Sequence, residues 1–186
     1  MKIAFVLYDR LTYLNFFGFY DVITRLRDLG IDENLRWKTC ALKDEIKDDK
    51  GLRILPDVVG ESLDGYDLVF IPGGIGARTL QYDDIFLSWI KSARNARCKV
   101  SVCTGALLFG AARLIKDKRA TTSKNNLDLL GPYCKEVVSQ RVVEDGDFIS
   151  ATGVSASLDL GLYVVEKFYG KKAKEDIANM MEYPLR

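Results

Sequence analysis

Alternation constrains the fold of this chain more than any other feature: short β-rich runs end in small or glycine residues and give way to helical stripes. KIAFVLY, Lys2 to Tyr8, reads as a buried strand, and Leu14 to Leu29 follows as a helix with Phe19, Val22, Leu26 and Leu29 on one stripe. Gly30 stops that helix. LRWKTCAL, Leu35 to Leu42, alternates as a second strand. Arg53 to Val59 follows the charged turn KDDKG, which suits a hairpin or an edge excursion. DLVFI, Asp67 to Ile71, is continuous and apolar, as central parallel strands are.

The second half repeats the pattern. After the break Pro72-Gly73-Gly74-Ile75-Gly76, the residues Phe86, Ile90 and Ala93 mark a helix over Asp83 to Ala96. Lys99 to Val102 is the next buried strand, and a helix through Leu107, Leu108 and Ala111 follows it. RVVEDGDFISAT is a hairpin signature with its turn at Gly146. Val154, Leu158, Leu162, Val165 and Phe168 predict a long apolar helix, with a shorter one from Lys172 to Met181. This order implies an α/β fold whose mostly parallel central sheet carries helices on both faces, with a ligand site at the carboxyl ends of the strands.

Composition enters as exclusion. With 186 residues, 48% of them apolar, the chain can bury one sizeable core, and no linker, repeat or low-complexity segment divides it, so residues 1–186 are expected to form a single domain. Lys and Arg number 27 against 26 for Asp and Glu, a balance that offers no field to draw nucleic acid or an anionic membrane. The opening apolar run is too short for a signal peptide, and no run approaches the ~20 residues of a membrane span, so a soluble cytoplasmic protein is expected. The mildly basic run KSARNARCK reads as a solvated helix end. Cys40, Cys98, Cys103 and Cys134 form no short-spaced pair, which argues for free thiols and against a zinc site or a redox dithiol. There is no histidine at all, so Ser-His, Cys-His and His-metal mechanisms are excluded together.

The chemistry concentrates where the strand ending at Val102 stops. Cys103, followed by Thr104, Gly105 and Ala106 at the start of a helix, resembles a nucleophile elbow, and helix-start amides there stabilise a thiolate. Cys103 is therefore expected to titrate below a free cysteine and to be the most nucleophilic thiol, while Cys40 and Cys98 are packing residues and Cys134 stays unassigned. Gly73 and Gly74 let the main chain approach a ligand closely, so that their N–H groups and that of Thr104 can cradle an oxyanion. GGIGA lacks the G-x-G-x-x-G spacing, so a nicotinamide cofactor is not expected.

PGG after a hydrophobic strand, SVCTGALLFGAARLIKDKRATTS, VEDGDFISATGVSASLDLGL and MEYP together resemble the ThiJ/PfpI superfamily over nearly the whole chain. TYLNFFGFYDVI and the CTGALL elbow are most similar to the branch containing isonitrile hydratase and the amidase-like domains of certain transcription regulators; no DNA-binding extension is expected after Arg186. The resemblance implies a flavodoxin-like three-layer sandwich, a homodimer, no metal and no organic cofactor. It makes Cys103 the nucleophile, Thr104 the following residue whose N–H and hydroxyl face the ligand, and Gly73 with Gly74 the opposite oxyanion turn.

Two positions depart from that pattern. Asn15 stands where relatives carry the acid that contacts the cysteine, and Ser123 stands where many carry histidine. An Asn amide cannot ionise, yet it can donate an N–H to a thiolate. Asp21 lies six residues from Asn15, about 240° around the helix, so it cannot share Asn15's face. It is expected to pair at the surface or at a dimer contact. Asp9, at the first strand's end, is the other acid near that rim. Of the aromatics Tyr13, Phe16, Phe17, Phe19 and Tyr20, most are expected in the core, with some free to wall the cleft or form a dimer patch. The leading expectation is an isonitrile hydratase-like enzyme in which Cys103 attacks a small-molecule electrophile. A cysteine-based oxidative sensor or inactive binding protein is the alternative; glyoxalase, deglycase and protease activities rank below because they use groups missing here.

Overall fold

The computed structural model describes residues 1–185 and bears out the alternating pattern. In chain order the elements are β1 (Lys2–Val6), α1 (Tyr13–Asp28), β2 (Arg36–Ala41), β3 (Ile46–Lys47), β4 (Arg53–Ile54), β5 (Val58–Val59) and β6 (Leu68–Ile71). Then come α2 (Ala77–Leu80), α3 (Asp84–Lys91), β7 (Cys98–Val102), α4 (Gly105–Ala111), β8 (Arg119–Ala120), α5 (Leu127–Leu130), β9 (Glu136–Val137), β10 (Val142–Asp145), β11 (Phe148–Ala151) and α6 (Ala156–Met180).

Every residue of the inner strands β6, β7 and β11 is buried, the polar Lys99, Ser101 and Ser150 included, because helices cover both faces of the sheet. Seven strands pair in the order β10-β11-β7-β6-β1-β2-β5, all parallel except the antiparallel edge pair of β10 with β11. From β1 the chain crosses to β2 on one side and later returns to β6 on the other, so the order reverses between β1 and β6. The carboxyl ends of such strands frame a crevice.

One face is covered by α1 and α6, which approach closely because both contribute small residues. A Cβ on Gly18 would lie 2.1 Å from Ser157 Oγ, and one on Gly161 would lie 2.7 Å from Val22 Cβ. α3, α4 and α5 pack together on the other face. Tyr13, Phe16 and Phe19 are buried as expected, with Phe19 stacked on Phe70 at 4.1 Å, whereas Phe17 is 42% exposed.

Two readings differ in detail from the pattern and a third is borne out. The run Arg53 to Val59 is split by Pro56: β4 forms a small antiparallel pair with β3 across KDDKG, and β5 joins the main sheet beside β2. Asp57 fixes that edge by accepting from the Thr39 N–H and hydroxyl. Asp83 caps α3 by accepting from the Phe86 N–H at 2.9 Å, but the helix tightens into a 3-10 turn at Ser92–Asn95. The final helical stretch is broken at Gly170, where φ is 88°, separating the two helices expected there.

Candidate active site

Cys103 leaves β7 in a left-handed conformation with φ at 56°. A side chain in that region is strained by about 1–2 kcal/mol, so its surroundings must impose it. They do: the Cys103 N–H donates to the carbonyls of Ala151 and Thr152 at 2.9 and 2.8 Å, and the Thr122 hydroxyl donates to the Cys103 carbonyl at 2.7 Å. The residue is half-buried rather than sealed in the core.

The PGG turn lies directly against this elbow. A Cβ on Gly73 would sit 2.6 Å from Cys103 Cβ, 2.8 Å from Asn15 Nδ2 and 2.8 Å from Thr104 N, so only glycine lets these groups converge. Gly74 has φ 151°, and a Cβ there would fall 2.4 Å from Leu11 Cα. The turn is tied back to the first loop by Thr12 N–H donating to Gly73 O at 2.8 Å. Gly105 completes the fit, since a Cβ would meet Ile71 O at 2.3 Å.

The structure thus brings together all five residues singled out from the sequence, Asn15, Gly73, Gly74, Cys103 and Thr104, but it distributes their hydrogen bonds differently. The Thr104 hydroxyl donates to Gly74 O and accepts from Gly74 N–H, both at 2.9 Å, so the Gly74 amide and the hydroxyl are used on each other. Thr104 N–H has no acceptor among the described residues. With Asn15 Nδ2, which meets it and Cys103 Cβ around the Gly73 turn, it supplies the unpaired donors at the elbow.

Asn15 is fully buried, and neither its oxygen nor its nitrogen has a partner. Each unsatisfied buried polar group costs about 1–3 kcal/mol. No carboxylate stands in for it: Asp9 is held by Lys43 and by the Lys47 N–H at 3.0 Å, and Asp21 pairs with Arg25 at 2.8 Å on the exposed side of α1. Ser123 accepts from Asn126 Nδ2, and Asn126 Oδ1 in turn accepts from Arg78 at 2.7 Å. Among the described residues, no acid is hydrogen-bonded to the cysteine.

Sequence reasoning passed over Thr122, which holds the Cys103 carbonyl, and also Tyr8. Its phenol donates to Pro72 O at 2.7 Å, and burial first, then the charge of Cys103, raise it well above its ordinary value, so it stays protonated. The signal available was its place as the last residue of KIAFVLY, at a strand end. A cavity of about 300 Å³ is lined by Tyr8, Asp9, Arg10, Gly76 and Phe86, among others, but not by Cys103. Burial pushes the other thiols up, Cys40 to about 11, Cys98 to about 12 and Cys134 in the same direction.

Comparison with known proteins places this geometry. The pattern of the DJ-1/PfpI family matches residues 1–167. Isonitrile hydratase from Pseudomonas putida is 33% identical over 184 residues, covering 98% of this chain and 78% of that protein. A ThiJ/PfpI family protein from Pseudomonas syringae superposes with a TM-score of 0.89 at 28% identity, covering 100% of this chain and 76% of that one. Drosophila melanogaster DJ-1beta shares the fold with a TM-score of 0.84 at 18% identity, covering 99% and 98% of the two chains.

Proposed function

The chain belongs to the DJ-1/PfpI family, and from that premise we propose that it is a small-molecule enzyme whose Cys103 adds to an electrophilic carbon, an isonitrile being the first substrate to test. The observation that carries this reading is the elbow itself: a strained, half-buried cysteine packed against Gly73 and Thr104, in a chain 33% identical to an isonitrile hydratase.

The reaction balances without histidine. The Cys103 sulfur bonds to the terminal carbon of R–N≡C, and that carbon gains one proton from the thiol or from water, giving a thioformimidate. Water then adds to the same carbon, with oxygen on carbon and hydrogen on nitrogen. Collapse breaks the carbon–sulfur bond, returns a proton to sulfur and releases the N-substituted formamide. Thr104 N–H and Asn15 Nδ2 are the donors placed to stabilise negative charge along this path. Because Asn15 cannot shuttle a proton, water carries that task and turnover is slower than with an acid at this position. The test is conversion of an isonitrile to its formamide by the intact chain and by Cys103→Ser. Activity confined to the former supports the reading, and activity in neither or equally in both removes it.

That no acid among the described residues is hydrogen-bonded to Cys103, in a chain without histidine, favours a second reading, a thiol that is oxidised rather than catalytic. Intact-mass measurement after mild peroxide separates the two, since a sensor adds oxygen at Cys103 and spares Cys40 and Cys98. A homodimer belongs to the first reading. Leu14 and Phe17, 55% and 42% exposed on α1, are apolar surface for such a contact, and sedimentation of the pure chain decides it.

A further inference from the structure

Among the described residues, the polar side chains around Cys103 are paired with one exception, which lies beside the unpaired main-chain N–H of Thr104. Thr104 bonds Gly74, Thr122 bonds the Cys103 carbonyl, Tyr8 bonds Pro72, and both ends of the Asn126 amide are taken. Asn15 alone has both ends free, although none of it is exposed to solvent. The other unpartnered buried atoms, Arg25 Nε, Ser101 Oγ and Thr121 Oγ1, are single atoms on other side chains. A carboxamide in that condition demands a ligand that brings an acceptor and a donor together.

Candidate ligands can be sorted by that demand. A thiolate on Cys103 is an acceptor only, so at best it serves the N–H₂ end and leaves the oxygen orphaned. A carboxylate would do the same and set a second negative oxygen against Asn15 Oδ1. A carbonyl that carries an N–H matches both ends in a two-point, head-to-tail pair, and the match survives exchange of the two Asn15 termini. Among the described residues, no charged side chain is hydrogen-bonded to Asn15, Cys103 or Thr104, so the ligand has no charge to neutralise.

We infer that Asn15 makes the Cys103 elbow a recognition site for neutral carboxamide-like groups, a carbonyl bearing at least one N–H, in preference to carboxylates. The inference rests on the reading of Cys103 as the reactive centre and names the part of the molecule it accepts. The formamide released in the proposed reaction is one member of the class, and its N–H arises only after water has added.

The test uses the whole chain and no isonitrile. Iodoacetamide and iodoacetate alkylate a thiolate by the same step, in which sulfur bonds to the methylene carbon and iodide leaves, and they differ only in carboxamide against carboxylate. Rates at Cys103 are read by peptide mass mapping, each divided by the rate of N-acetylcysteine in the same tube. The wild type is expected to favour iodoacetamide by about tenfold over that reference, two hydrogen bonds to a buried partner. Asn15→Leu is expected to bring the ratio near one, and acetamide is expected to slow alkylation of the wild type alone. Thermal unfolding shows whether Asn15→Leu keeps its fold, and acetamide protection of the wild type reads the same recognition without any variant. A ratio near one in the wild type, a ratio unchanged by Asn15→Leu, or no protection by acetamide overturns the inference and assigns water to Asn15. Selectivity without isonitrile turnover leaves the inference standing and removes only the reaction, whereas a Cys103 inert to both reagents overturns both.

Discussion

Replacing Gly73 by alanine isolates the geometry on which the site depends. Gly73 has no left-handed backbone, so the substitution adds no torsional strain, and its whole effect is one methyl placed 2.6 Å from Cys103 Cβ, 2.8 Å from Thr104 N and 2.8 Å from Asn15 Nδ2. Ordinary contacts of that kind are near ~3.5 Å or more. Two of the three opposing atoms belong to the strained elbow and cannot swing aside. Overpacking of this sort costs about 1–3 kcal/mol. In a chain of this length each kcal/mol lowers Tm by about 2–4 °C, so Gly73→Ala is expected to melt about 2–12 °C below the wild type by calorimetry. Alkylation of Cys103 should change along with it, because relief comes by moving the sulfur-bearing residue. Gly153→Ala is the control: beyond its chain neighbours nothing lies within 4 Å of its added Cβ and its backbone is not left-handed, so it should be neutral or slightly stabilising. A Gly73→Ala chain with wild-type Tm and wild-type Cys103 reactivity would show that the turn and the elbow do not meet as described.

Two further outcomes follow from groups outside the site. Lys99, 2% exposed on β7, bonds Asp147 at 2.6 Å with Lys118 at 3.3 Å from the same carboxylate, and Asp147→Ala is expected to destabilise the fold by about 2–3 kcal/mol, less than a fully buried pair because Asp147 faces water. Burial works to raise Asp147, but the bonds and charges of Lys99 and Lys118 outweigh it and hold the folded value down; its contribution is therefore present above about pH 4 and lost as pH falls through that lower value, where wild type and variant should converge in urea melts. Cys40 and Cys98, raised by burial to about 11 and about 12, should alkylate at pH 8 about a hundredfold or more slowly than free cysteine while the chain is folded; rates like free cysteine at either would contradict their burial.

The sheet was legible because β6 is apolar without alternation, which only a strand covered on both faces tolerates, and because β7 and β11 are short β-rich runs set off by turn and elbow residues, although each carries buried polar residues, Lys99 and Ser101 in β7 and Ser150 in β11. The elbow was legible for a local reason as well: β7 ends abruptly in Cys-Thr-Gly-Ala. The hydrogen-bond partners were not, because they are set across 30 residues by the approach of the Gly73-Gly74 turn to Thr104, which turns the hydroxyl inward and consumes the Gly74 amide. Tyr8 escaped for the same reason, its bond to Pro72 spanning 64 residues. The short ending of α3 shows the limit of periodicity, since Ala93 is buried whether the backbone is α-helical or 3-10. Asn15 and Ser123 were visible only as departures from a resemblance, and the cost of the Asn15 substitution, two unpaired buried atoms, appears only in three dimensions.

Covalent capture tests the chemistry of the elbow most directly. The intact chain, incubated with an isonitrile and quenched with acid, is digested and mapped by mass. The peptide containing Cys103 should carry the mass of one isonitrile while those containing Cys40, Cys98 and Cys134 do not, and Cys103→Ser should carry none. Formamide production with no adduct on that peptide, or undiminished production by Cys103→Ser, would contradict the assignment of Cys103 as the attacking group.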